Sequence, residues 1–183
     1  MEWNDPSLLN SSIPFTFTDG TDIFNELAKK YIKHSKGLFI LGPSGVGKTH
    51  FIKQQSEANW IDGDILWYAA NALPGGKWWE ADLEEINRIE ARCDVVTLEA
   101  KRQGFWIMGT SNYWLKPDAI VVPDLDTHKK YIETREDKGY DGGLTTNDFE
   151  QMKAHREVIL EWKQKGVPCF TSVQEAAKYL ASL

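Results

Sequence analysis

Eight consecutive residues, Gly42-Pro43-Ser44-Gly45-Val46-Gly47-Lys48-Thr49, follow the pattern G-x-x-x-x-G-K-[ST]. Glycines at this spacing let successive backbone N–H groups turn inward around an anion, and a helix start behind them adds partial positive charge. The chemistry suits a polyphosphate, with Lys48 reaching the β- and γ-phosphates and the Thr49 hydroxyl offering Mg²⁺ a hard oxygen ligand. Fourteen positions beyond Lys48 comes Asp62-Gly63-Asp64, at the end of the apolar Trp60-Ile61. Phosphoryl transfer needs one carboxylate toward the metal and another at the acceptor hydroxyl, and this pair suffices for both. The bare tripeptide is equally a turn sequence, so its functional reading depends on the loop upstream.

Both motifs need strands to present them. Apolar segments of strand length, rich in Val, Ile, Phe or Trp, lie near residues 38–41, 60–62, 105–109, 119–123 and 167–170. They alternate with stretches of helical period, an order that predicts an α/β class with a largely parallel sheet buried on both faces. Helical stripes run over residues 21–34, 48–58 and 81–93, and Ser172-Val173-Gln174-Glu175 opens a last helix as a capping box. From Glu80 to Glu99 seven carboxylates face only Arg88 and Arg92. That run reads as a solvated helix face. Asp124 and Asp126, after the fourth strand, read as helix-start caps.

The chain has 183 residues, the size of one domain, and 21 basic against 27 acidic side chains give a net charge of −6. A mildly acidic balance argues against a nucleic-acid coat or a membrane-surface binder. No apolar run approaches the ~18–20 residues that span a bilayer, so we expect a cytoplasmic protein without a membrane partner. Cys93 and Cys169 stand 76 positions apart and read as reduced thiols. His34, His50, His128 and His155 have no metal-site spacing, so the one ion expected is Mg²⁺ arriving with the nucleotide. Residues 1–20 read as an irregular arm.

The phosphate loop, Ile61-Asp62-Gly63-Asp64, the strand Ala119-Ile120-Val121-Val122 leading to a helix that ends at Arg135, and Arg156 beyond a loop together resemble the small-molecule kinases of the P-loop (Walker A) superfamily. The nearest resemblance is to the gluconate, adenylylsulfate and shikimate kinase group, and more broadly to nucleoside monophosphate kinases. It implies a three-layer P-loop NTPase fold with a five-stranded parallel sheet and a mobile lid, ATP as phosphoryl donor, and Mg²⁺. It further implies that Asp64 orients or deprotonates the acceptor and that Asp62 lies on the metal side. By the same resemblance residues 136–146 form the lid, and Arg135 and Arg156 flank it to neutralise the transferring phosphoryl group. No Asn-Lys-x-Asp segment follows a later strand, which disfavours a small GTPase.

The acceptor is expected in residues 65–104 and just after the third strand. Trp67, Tyr68, Trp78, Arg102 and Thr110 are its candidate binding residues. Aromatic faces near a carboxylate suit a planar base, although many of the eight Trp residues are equally core material. The expected reaction is γ-phosphoryl transfer to a hydroxyl or phosphate of a nucleotide, nucleoside or similar small molecule, by a monomer or homodimer. Two alternatives stay open: a kinase acting on 5-hydroxymethyluracil in DNA, a partner the net charge disfavours, and an NTPase module that transfers only to water.

Overall fold

The computed structural model describes residues 15–17, 19–69, 80–139 and 143–183. Most of the expected N-terminal arm, Trp78, the middle of the expected lid and the side chain of Tyr68 lie outside the described residues. In chain order the elements are α1 (Ile23–Lys30), β1 (Leu38–Leu41), α2 (Lys48–Gln54), β2 (Trp60–Asp62), α3 (Gly63–Ala69), α4 (Leu83–Arg102) and β3 (Trp106–Gly109). Then come β4 (Ala119–Val121), α5 (Leu125–Asp137), a 3₁₀ turn (Thr146–Asp148), α6 (Phe149–Gln164), β5 (Cys169–Phe170) and α7 (Val173–Ala181). The class is α/β, and the strands form one all-parallel five-stranded sheet in the order β2-β3-β1-β4-β5.

The chain falls into two compact units, each built from separate stretches of sequence. The first takes the residues up to Phe39 and Ser56–Leu115, the second Ile40–Gln55 and Lys116–Leu183, so β1 contributes residues to both. In the first unit β2 pairs with β3 through Trp60–Trp106, Ile61–Ile107 and Asp62–Met108, and α3 and α4 cover β3. Leu66, Ile89, Phe105 and Ile107 are almost wholly buried there. In the second unit Ile40 pairs with Ala119 and Ile120 with Cys169, while α6 and α7 cover β4. Strands packed on both faces bury continuous apolar runs, as all four residues of β1 do.

Short polar side chains fix the helix starts. Asp22, Asp82 and Asp124 accept from the backbone N–H three residues on, at 2.8, 2.9 and 3.0 Å, and so satisfy otherwise unpaired donors of α1, α4 and α5. Asp124 thus takes the capping role expected of it. Ser172 likewise accepts from Glu175 N at 3.2 Å, but the Glu175 carboxylate receives the Thr171 hydroxyl instead of completing a reciprocal box. Among the described residues no helix is long and apolar enough to cross a membrane.

Candidate functional site

Within the second unit the loop of residues 42–49 leaves β1 and runs into α2. Gly45 and Gly47 have φ of +86° and +99°, a region that L side chains rarely enter. A Cβ on Gly45 would stand 2.7 Å from Ile132 Cγ1 and 3.6 Å from His128 Nε2, so α5 lies directly on the loop at this point. His128, Ile132 and Arg135 are spaced i, i+4 and i+7, which puts them on one face of that helix. His128 Nε2 is 2.7 Å from the Ser44 carbonyl oxygen, and both terminal nitrogens of Arg135 donate to Ser44 Oγ at 3.3 Å. Arg135 also donates to the Leu144 carbonyl at the far side of the expected lid, and Glu136 accepts from Thr146 N at 3.2 Å. The two described ends of the lid segment are therefore fastened together.

Three cations of the second unit stand at or near this loop. Lys48 is buried and donates to the Gly42 and Pro43 carbonyls, the latter at 2.8 Å. Arg156, only 9% exposed, donates through Nη1 to His128 Nδ1 at 3.0 Å and forms no ion pair with a carboxylate among the described residues. Burial works against its charge. Glu157 and Asp124 lie near enough to favour that charge without pairing with it, which leaves the guanidinium open to an anion. Burial also pulls His128 down to about 4, against the Ser44 carbonyl that favours its protonated form and with help from Arg156, Lys48 and Arg135. Desolvation and the Lys48 charge do the same to half-buried His155, also to about 4. Two neutral imidazoles amid Lys48, Arg135 and Arg156 make a site electropositive without excess protons. Thr49, in the first turn of α2, is half-buried.

The Asp-Gly-Asp pair belongs to the first unit. Asp62 ends β2, half-buried, and its Oδ1 accepts from Asp64 N at 3.0 Å, which starts α3 with Asp64 exposed. Gly63 between them has no room for a side chain, since its Cβ would stand 2.8 Å from Met108 O and 2.9 Å from Gly109 Cα. The Asp-Gly-Asp turn is thus pressed against the carboxyl end of β3, where Thr110 and the buried Ser111 follow.

Two groups in this unit escaped the sequence reading. Asp94, 1% exposed on α4, accepts through one oxygen from Tyr113 N, Trp114 N and Leu115 N at 2.8, 2.6 and 3.0 Å, fixing the loop after β3. Glu90, one turn earlier, is hydrogen-bonded to Ser111. Burial and the Asp94 charge push Glu90 up to about 8, and burial pushes Asp94 to about 7 against its three N–H bonds. The pair therefore retains a proton near neutrality, most firmly on Glu90. The seven-carboxylate run is not a uniformly solvated face, because these two turn inward. Buried Cys93 between them is held as a thiol by desolvation and by Asp94, Glu90 and Asp64.

Of the expected acceptor residues, Thr110 stands beside the Asp-Gly-Asp turn, whereas two others do not fit as expected. Trp67 is 6% exposed and belongs to the apolar core, where it presents no open face. Arg102 lies in the last turn of α4, before the amino end of β3 and so opposite the strand end that holds Thr110; its exposed guanidinium pairs with Glu99 at 4.0 Å. The signal for His128 was its i, i+7 spacing from Arg135, and for Glu90 and Asp94 their i, i+4 spacing among apolar neighbours. No family model, no curated protein and no solved structure matches the chain.

Proposed function

We propose that the chain is a Mg²⁺- and ATP-dependent phosphotransferase that moves the γ-phosphoryl group to a hydroxyl or phosphate of a nucleotide, nucleoside or similar small molecule. The observation that supports this best is Arg156, buried and in no ion pair among the described residues, beside the loop that Lys48 and Arg135 also hold. Three cations around inward-turned glycine backbone suit a polyphosphate better than a neutral ligand. Mg²⁺ would be held by the Thr49 hydroxyl and the nucleotide's own oxygens and would supply neutralisation of the transferring charge, with Asp62 the metal-side carboxylate only as the family resemblance implies. These are the hard oxygen donors that such an ion takes.

In this reading Lys48 and Arg135 bind and orient the phosphates, and the Asp64 carboxylate receives the proton of the acceptor hydroxyl. The acceptor oxygen forms a bond to the γ-phosphorus as the bond from phosphorus to the β-bridging oxygen breaks, and ADP leaves. Thr110, with the loop that Asp94 fixes, orients the acceptor. The test is Mg·ATP consumption by wild type, Lys48→Ala and Asp64→Asn with nucleosides, nucleoside monophosphates, sugar acids, and DNA with or without 5-hydroxymethyluracil. Turnover raised by one acceptor and abolished in Asp64→Asn, with ATP binding retained, is the expected result. Hydrolysis indifferent to every acceptor and to Asp64→Asn would leave the NTPase module as the better reading, and stimulation by modified DNA alone would move the acceptor into DNA.

A further inference from the structure

We propose that His128 is a positioning residue of the phosphate loop, a neutral imidazole through which Arg156 acts on the Ser44 carbonyl. The chemistry of its two partners settles its protonation. A guanidinium has only donors, so Nδ1, 3.0 Å from Arg156 Nη1, must accept. The carbonyl oxygen of Ser44, 2.7 Å from Nε2, has only lone pairs, so Nε2 must donate. One tautomer of the neutral ring, with hydrogen on Nε2, satisfies both. The ring is 0% exposed, so no water substitutes for either partner.

The consequence lies in the loop. Ser44 is held twice from one face of α5, at its carbonyl by His128 and at its hydroxyl by Arg135, while Ile132 closes the space at Gly45. Fixing the Ser44 carbonyl fixes the peptide plane that leads into Gly45, whose left-handed backbone begins the inward turn of the loop. Arg156 therefore contributes in part by orienting His128, in addition to the electropositive field it supplies. The charged and titratable groups around the imidazole are Lys48 from α2, Asp124 and Arg135 from its own helix and that helix's cap, and His155 and Arg156 from α6. A proton on Nδ1 would set donor against donor and add a fourth positive charge to Lys48, Arg135 and Arg156.

The effect on ligand affinity rests on the nucleotide-binding reading above, but the relay itself does not, and the experiment separates the two. Long-range ¹H–¹⁵N spectra of the histidine-labelled full chain read the tautomer directly. We expect His128 neutral with hydrogen on Nε2 from pH 8 to pH 5; an imidazolium at pH 7, or hydrogen on Nδ1, overturns the proposal. His128→Gln offers one acceptor and one donor on a single amide, whereas His128→Met fills similar volume with neither. We expect amide exchange at Gly45, Val46 and Gly47 to quicken about tenfold in His128→Met and Mg·ATP to bind about tenfold more weakly, with His128→Gln close to wild type. Arg156→Gln should then cost less in the His128→Met background than in wild type, the sign of a shared path. Equal behaviour of folded Gln and Met variants overturns the proposal. If His128→Met fails to fold, the wild-type tautomer and the His128→Gln exchange rates decide it. If wild type binds neither Mg·ATP nor inorganic triphosphate, the phosphotransferase reading fails, while the tautomer and loop exchange still decide the role of His128.

Discussion

The two units answer burial of titratable groups in opposite ways. Around the phosphate loop, burial strips protons from His128 and His155, helped by Arg156, Lys48 and Arg135 at the first and by Lys48 at the second. Around α4, burial makes Glu90 and Asp94 keep theirs, with the Asp94 charge adding to the effect on Glu90. The second unit keeps permanent cations, Lys48, Arg135 and Arg156, and the first keeps an exposed carboxylate, Asp64, beside a loop anchored by Asp94. Under the proposed reaction, anion binding falls to the second unit and acid–base chemistry to the first, and variants in each should fail differently.

The largest expected effect tests that division directly. Asp64→Asn removes the carboxylate while preserving its shape, and should lower acceptor-dependent turnover by ~10²–10⁴-fold with ATP affinity unchanged. Steady-state kinetics beside equilibrium binding of Mg·ATP distinguish the two quantities, and a parallel loss of ATP affinity would break the comparison. Next comes Lys48→Ala, which should lower turnover by ~10²–10³-fold and weaken ATP binding together, because its charge meets the donor itself. Gly45→Ala is smaller. Its φ of +86° and the 2.7 Å approach to Ile132 Cγ1 predict a loss of ~1–3 kcal/mol in urea denaturation, together with weaker nucleotide binding. Gly63→Ala, which meets backbone atoms of Met108 and Gly109, should destabilise to a similar degree while sparing nucleotide affinity.

Much of this arrangement was legible in the residues, and the failures share a cause. The strands at residues 38–41 and 60–62 came out with their observed limits, since a short apolar run between a turn and a glycine leaves little choice. The other three were read too long, because Phe105, Val122 and Val167 are buried without belonging to the strands, and hydropathy reports burial rather than pairing. The helix read as residues 81–93 continues to Arg102, since Val95, Val96, Thr97 and Ala100 are buried too and widen the stripe until its period blurs. The phosphate loop and Asp-Gly-Asp are local motifs and were visible. Bonds between residues 84 positions apart, as for His128 and Ser44, leave no mark in the sequence beyond a helical spacing.

The smallest expected effect is the most specific to the contrast, because the two units should respond to pH with opposite signs. Glu90 rises from an ordinary value of 4.5 to about 8, so as pH climbs through that range the unfolded chain gives up a proton that the folded one retains. Stability falls with rising pH across the interval, Asp94 acting alike from 3.8 to about 7, and the loss levels off above about 8. His128 and His155 fall from 6.5 to about 4, so between those values the unfolded chain takes up protons that the folded one refuses, and stability falls as pH drops. Below 6.5 the two trends oppose each other and flatten the profile. Between pH 6.5 and 8 the histidines are neutral in both states, which leaves the carboxyl pair to act alone. Urea denaturation followed by far-ultraviolet circular dichroism should therefore show stability declining there by about 1 kcal/mol per pH unit for each retained proton. Glu90→Gln should remove most of that slope and, by withdrawing the opposing trend, let stability fall more steeply as pH drops from 6.5 to about 4.5. His128→Gln should leave the interval from pH 6.5 to 8 as in wild type and, below 6.5, leave only His155 against the carboxyl pair, so that stability rises on acidification. A slope that survives Glu90→Gln would mean that the proton sits elsewhere, and that the acidic unit does not discard charge in the way its burial implies.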